Sequence, residues 1–134
     1  MNVGKNESLL MRFDAPGSTL SLMLEDDGKV AYAYLLEGDE IVGDVWLYNV
    51  VESPDEVEWD PAAMPFLNPR KFCREDSVQR MREESLVDCK WFNRGVEVSI
   101  DGVLMARLEI GAKPGWSKLA ACPGPLANPL ESSL

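Results

Sequence analysis

Residues 96–110, VEVSIDGVLMARLEI, carry the strongest fold signal in the chain. On both sides of Asp101-Gly102, apolar side chains alternate with other side chains, which is the period of a β-strand with one buried face. A two-residue loop that contains glycine, set between two such runs, is typical of a tight β-hairpin. The sequence therefore predicts an antiparallel hairpin here, with Arg107 and Glu109 on its outer face.

Five further segments show the same period of two or a run of β-favouring side chains. In chain order they are residues 9–13, 20–24, 30–36, 41–51 and 87–91. Turn-forming residues separate the first four, namely Ala15-Pro16-Gly17-Ser18, Asp26-Asp27-Gly28-Lys29 and Gly38-Asp39-Glu40. These four segments are predicted to form a meander, in which Trp46 and Tyr48 share one face of the fourth strand.

The middle of the chain differs in composition. Residues 53–69 contain four prolines, which lack an amide proton and fix φ, so no central strand or helix is expected there. We predict a long crossover between two halves of the sheet structure. Asp76, with Gln79 three residues later, resembles a capping box and predicts one short surface helix.

Together these patterns predict a mostly β protein. About seven strands, tight turns, one crossover and one short surface helix are typical of an antiparallel β-sandwich or a half-open barrel. The length of 134 residues is within the usual size of one domain. We therefore expect a single β domain over residues 1–126, followed by a loose C-terminal tail over residues 127–134.

The charge of the chain is concentrated in one segment. The net charge is −10, and residues 25–60 carry twelve acidic residues against one base, Lys29, so this segment accounts for the whole imbalance. A negative surface repels phosphates and anionic lipids, which makes nucleic acid and membrane surfaces poor partners. It attracts a basic protein.

Several kinds of chemistry lack the residues that they need. The chain has no histidine, which removes the usual Ser-His-Asp and Cys-His arrangements and histidine-ligated zinc. Cys73, Cys89 and Cys122 are too far apart in sequence for a CxxC motif, and no glycine-rich phosphate loop is present. We therefore expect no enzyme activity, no cofactor and no metal. The odd cysteine count and the missing export signal predict a cytoplasmic protein with reduced thiols.

These observations lead to a functional hypothesis. We expect a non-enzymatic module that binds another protein, a basic one, through its acidic surface. Its sharpest form is an inhibitor or immunity-type protein that neutralises a toxin or an enzyme. The candidate partner-binding residues are the loop acids and one neighbouring aromatic residue: Asp26, Asp27, Asp39, Glu40, Glu56, Glu58, Trp59 and Asp60.

Two alternatives come from other functional classes. Exposed edge strands can pair with copies of themselves, which suggests a homodimer or an assembly subunit, with the 96–110 hairpin as its interface. Abundant carboxylates and tryptophans also suit a carboxylate-based hydrolase or a carbohydrate-binding domain.

Overall fold

The computed structural model describes residues 8–56, 60, 64–74 and 86–130, and nine β-strands lie within these ranges. The first four are β1 (Leu9–Asp14), β2 (Leu20–Asp26), β3 (Val30–Glu37) and β4 (Glu40–Asn49). A 3₁₀ helix covers Arg70–Phe72. The last five are β5 (Val87–Phe92), β6 (Gly95–Ile100), β7 (Val103–Glu109), β8 (Trp116–Ser117) and β9 (Asn128–Pro129).

The strands form two sheets. The first has the order β1-β2-β3-β4 and the second the order β5-β6-β7-β8-β9. All neighbouring pairs are antiparallel except β8 and β9, which are parallel. The predicted mostly β, sandwich-like fold is confirmed. The helix predicted from Asp76 lies outside the described residues.

The 96–110 hairpin forms as predicted. Ile100 pairs with Val103, and the two loop residues between them have positive φ angles of 52° at Asp101 and 85° at Gly102. Two consecutive positive φ angles define a type I′ turn, whose twist matches that of the flanking strands. However, β6 lies between β5 and β7, so the hairpin presents no free edge along β6.

The core lies between the inner faces of the two sheets. Leu22, Leu24 and Val45 of the first sheet are completely buried, as are Val98 and Leu108 of the second. These residues belong to one continuous hydrophobic cluster. Their burial explains the period of two along the strands, because each strand turns alternate side chains toward the opposite sheet.

The two sheets are joined along the outer edge of β4. The amide of Gly111 donates to the carbonyl of Val42 at 2.7 Å, that of Gly115 to Asp44 at 2.7 Å, and that of Trp46 to Leu126 at 3.0 Å. The chain after β7 therefore satisfies the edge that the meander leaves open. We refer to these contacts between β4 and residues 111–126 as the seam.

Backbone pairing within the second sheet corrects the prediction that the C-terminal tail is loose from residue 127 onward. Ala127 is buried, and Asn128–Pro129 form β9, paired with β8. The amide of Leu130 also donates to the carbonyl of Ser117 at 3.0 Å. Residues 127–130 are thus attached to the second sheet, because their backbone completes its edge, and residues 131–134 lie outside the described ranges.

Candidate functional site

The predicted partner-binding acids are divided between the two ends of the first sheet. In the meander, the β2–β3 turn with Asp26 and Asp27 lies at one end, and the β3–β4 turn with Asp39 lies at the other. The eight residues of β3 span roughly 25 Å, at about 3.3 Å per residue. The predicted residues therefore do not form one compact surface.

Asp26 is a buried residue rather than a surface one. Only 2 % of it is exposed, and the Tyr48 hydroxyl donates to its Oδ2 at 2.7 Å. The amide of Gly28 donates to Oδ1 at 2.9 Å. This carboxylate holds the β2–β3 turn against β4, so it is not accessible to a partner in this structure.

Asp27 lies at the surface of the same turn. Its Oδ1 accepts hydrogen bonds from the amides of Lys29 and Val30, both at 2.9 Å, and the residue is half-buried. The carbonyl of Lys29 in turn accepts from the amides of Val50 and Val51. The crossover therefore leaves β4 directly beside this turn.

The crossover carries the remaining predicted residues. Glu56 and Asp60 are exposed, whereas Glu58 and Trp59 lie outside the described residues. Nearby, Asp55 forms an ion pair with Arg70 at 3.0 Å. At the opposite end of the sheet, Asp39 and Glu40 are both exposed.

A further group of acids lies on the outer face of the first sheet. The strand register places Met23 opposite Tyr34 and Tyr34 opposite Asp44, and in the next row Glu25 lies opposite Tyr32. Residues that lie opposite one another in antiparallel strands point to the same face, so all five share this surface. The two tyrosine rings are stacked, with centroids 6.1 Å apart and planes inclined by 13°.

The electrostatics of this surface centre on Tyr34. Partial burial, followed by the negative charges of Glu25, Asp44 and Asp27, raises the pKa of Tyr34 to about 12. Burial also raises the pKa of Asp44, and the positive charge of Lys113 partly opposes this. We call the surface formed by Glu25, Asp27, Tyr34 and Asp44 the acid–tyrosine face.

The sequence contained only a partial signal for this face. Asp44 is an acid inside a predicted strand, where a charge marks the outer face of the sheet, and Glu25 directly follows another predicted strand. Both belong to the acid-rich segment, but their closeness to Tyr34 depends on strand register, which the sequence pattern does not give. Asp27 is the one residue shared by the predicted set and this face.

A polar cluster around Asn49, the last residue of β4, holds the crossover over the outer face of the first sheet. The side chain of Asn49 accepts from Trp46 Nε1 at 2.8 Å and from the amide of Asn68 at 3.1 Å. It donates to Ser53 Oγ at 2.7 Å and to the carbonyl of Asn68 at 3.0 Å. Since Tyr32 also donates to the carbonyl of Phe66, the crossover buries the aromatic side chains beneath it.

Asn68 and Cys73 lie beside this cluster. Neither polar atom of the Asn68 side chain has a hydrogen-bond partner among the residues that the structure describes. Cys73 is half-buried, and its Sγ lies 3.3 Å from the carbonyl oxygen of Pro69 and 3.5 Å from that of Asn68. The thiol therefore donates to backbone carbonyls and holds the 3₁₀ turn against the crossover.

Within the described ranges, no group of three or more Cys, Asp or Glu side chains could hold a metal ion. In the same part of the chain, no helix has the length and apolarity that a bilayer crossing requires. Comparisons with protein-family models, curated proteins and solved structures found no match.

Proposed function

We propose that this protein is a binding module that engages a basic protein through the acid–tyrosine face. An inhibitor or immunity-type protein, which neutralises a basic toxin or enzyme, is the form that best suits such a surface. The observation that carries the proposal is that strand register places Glu25 and Asp44 on the same face of the first sheet as Tyr34.

This arrangement suits a lysine or arginine side chain of a partner. A partly buried carboxylate is less screened by water than one on a loop tip, so its attraction to a cation is stronger. Tyrosine offers a rigid ring that can contact the cation by its face, and tyrosine is enriched among the residues that dominate binding energy. Because Tyr32 stacks on Tyr34, the ring is held in place before a partner arrives.

The exposed acids of the crossover act on a basic partner at longer range. Glu56 and Asp60 are exposed on the crossover that follows β4. Such charges mainly accelerate the encounter with a partner of opposite charge. Cytoplasmic action remains part of the proposal, and it is supported by the three cysteines, none of which forms a disulfide.

The decisive experiment compares two double variants with the same change in charge. The protein is used to capture binding proteins from native lysate at low and high salt, and the captured protein is then titrated. Glu25→Gln with Asp44→Asn alters the acid–tyrosine face, and Asp39→Asn with Glu40→Gln alters the exposed turn at the far end of the sheet.

We expect the first double variant to weaken binding at least about tenfold and the second about twofold or less. The salt dependence should fall only in the first variant, because fewer charge pairs then form at the interface. Equal losses in the two variants would mean that net charge alone acts. No salt-sensitive partner at all would refute the proposal.

A further inference from the structure

Strand β1 has one unpaired edge among the described residues. It pairs with β2 on one side only. A groove of about 710 Å³ follows the strand and is lined by residues 8–13 together with Leu86 and Val87. The groove walls include exposed apolar side chains, with 65 % of Leu10 and 62 % of Leu86 accessible.

This edge is electrically neutral in a strongly acidic protein. The net charge of the chain is −10, yet β1 itself carries one base and one acid, Arg12 and Asp14, and the nearest acids of β2 are Glu25 and the buried Asp26, opposite Leu10 and Leu9. Arg12 and Asp14 form an ion pair at 3.1 Å, and Ser21 bonds to both. Two copies of the chain repel each other least where the local charge is zero, so charge favours contact between copies at this edge.

We propose that two copies of this chain pair through their β1 strands, antiparallel, about a twofold axis at Met11. In this register Leu9 lies opposite Phe13 of the second copy, and Leu10 lies opposite Arg12 of the second copy. A twofold axis makes the two halves of the contact identical, and the two four-stranded sheets become one continuous sheet. The inference concerns another surface than the acid–tyrosine face and does not depend on the proposed function.

The register follows from the strand's own pattern. Leu9, Met11 and Phe13 are half-buried and pack on the core, whereas Leu10 and Arg12 are exposed on the outer face. A shift of one residue would place the inner row of one copy against the outer row of the other. A shift of two residues toward Asp14 would set Arg12 opposite Arg12 of the second copy, and like charges directly opposite each other are destabilising. A shift of two residues toward Leu9 would leave only residues 9–11 of each strand paired, because β1 begins at Leu9.

The first test measures the oligomeric state by sedimentation equilibrium over a concentration series. Leu10→Lys faces Arg12 of the second copy and should weaken the dimer roughly tenfold, since the repulsion occurs twice. Leu10→Glu should leave the dimer near its wild-type strength, because its attraction to Arg12 of the second copy is opposed by Glu25, which lies opposite residue 10 in the same chain. The matched controls are Leu104→Lys and Leu104→Glu, at a leucine of β7 that is 38 % exposed.

A second test reads the register directly. After mild oxidation, Met11→Cys should form a disulfide-linked dimer, because residues opposite each other lie within the distance that a disulfide spans. Leu10→Cys should not, because its two copies would be about 8 Å apart. The wild-type chain, with Cys73, Cys89 and Cys122, sets the background.

Three results would overturn the inference. A monomer at every concentration would exclude the dimer, and a dimer that responds to the Leu104 variants instead would transfer the interface to the 96–110 hairpin. Equal cross-linking of the Leu10→Cys and Met11→Cys proteins would exclude the register. None of these measurements uses a basic partner, so their outcome is independent of the binding experiment above.

Discussion

The hydroxyl of Tyr48 donates a 2.7 Å hydrogen bond to the carboxylate of Asp26 in the interior of the protein. The bond connects the last residue of β2 with β4, two strands away in the sheet. It makes an acid from the most negative segment of the sequence part of the core. Consequently, the charge visible in the sequence overstates the charge available at the surface of this turn.

The first prediction concerns this bond. Tyr48→Phe removes the hydroxyl and leaves a buried carboxylate with one partner fewer, so we expect a loss of about 1.5–3 kcal/mol in the free energy of unfolding. Urea denaturation followed by tryptophan fluorescence measures it. Tyr34→Phe is the control and should cost less than about 1 kcal/mol, because Tyr34 is only half-buried. Equal costs would contradict a structural role for Asp26.

The second prediction contrasts two buried asparagines of the crossover cluster. Asn49→Ala removes four hydrogen bonds and leaves buried partners unsatisfied, so it should cost about 3–4 kcal/mol. Asn68→Leu should be nearly neutral, since only 1 % of Asn68 is exposed and its side-chain amide has no partner in the described part of the chain. Thermal unfolding of both variants gives the comparison. A comparable loss in the two would show that the Asn68 amide is used.

The third prediction concerns the pH dependence of Asp44. Burial raises its pKa above the ordinary value of 3.8, so the folded protein holds this proton more tightly than the unfolded chain. Its contribution to stability is therefore lost as the pH rises from about 3.8 through the folded-state pKa. Asp44→Asn should raise the urea midpoint at pH 7, and the difference should disappear near pH 3, where both states are protonated.

The same variant links stability to binding. If Asp44 serves the acid–tyrosine face, Asp44→Asn should stabilise the fold and weaken the partner complex together, a trade-off common at functional sites. Asp39→Asn is the control, because this exposed carboxylate should change neither quantity appreciably. A destabilised Asp44→Asn protein at pH 7 would instead indicate that the electrostatic attraction of Lys113 for Asp44 outweighs the cost of burying the carboxylate.

The fourth prediction tests the close contact between β4 and the end of β7, next to the seam. A Cβ added at Gly43 would lie 2.8 Å from the carbonyl oxygen of Glu109, in the backbone of the second sheet. Gly43→Ala should therefore cost about 1–3 kcal/mol by forcing the sheets apart. Gly38→Ala is the comparison, at an exposed turn with a φ of 64° and open space around it, and should cost about 1 kcal/mol. A smaller loss of stability for Gly43→Ala than for Gly38→Ala would mean that the backbones of β4 and β7 can move apart at little energetic cost.

Much of the fold could be predicted because its strands have one-sided burial. All seven predicted strands are present, and the glycine turns at Gly28 and Gly102 have the positive φ that tight hairpins need. Strands β8 and β9 could not be found, because two residues are too few to show a period. Their position is set by backbone hydrogen bonds to elements distant in sequence.

The candidate site could be predicted only in part, because strand register decides it. The pairing of β3 with β4 skips Leu47, so Trp46 lies opposite Tyr32 and Tyr48 lies opposite Ala31. Trp46 and Tyr48 therefore lie on different faces, against the prediction that they share one, because the bulge adds one residue to the alternation. The same pairing brings Asp44 beside Tyr34, which no local pattern shows.

The seam also sets the order in which the two sheets can form while the chain is being synthesised on the ribosome. The meander β1–β4 consists of neighbours in sequence, so it can pair as it emerges, but β4 must wait for its other edge. Ser117, which bonds to the carbonyl of Leu47, follows it by 70 residues. At about 5–20 residues per second, that interval lasts roughly 4–14 s. During this interval the apolar inner face of the first sheet lacks the second sheet that covers it. Exposed apolar surface of this kind is prone to aggregation and is bound by chaperones.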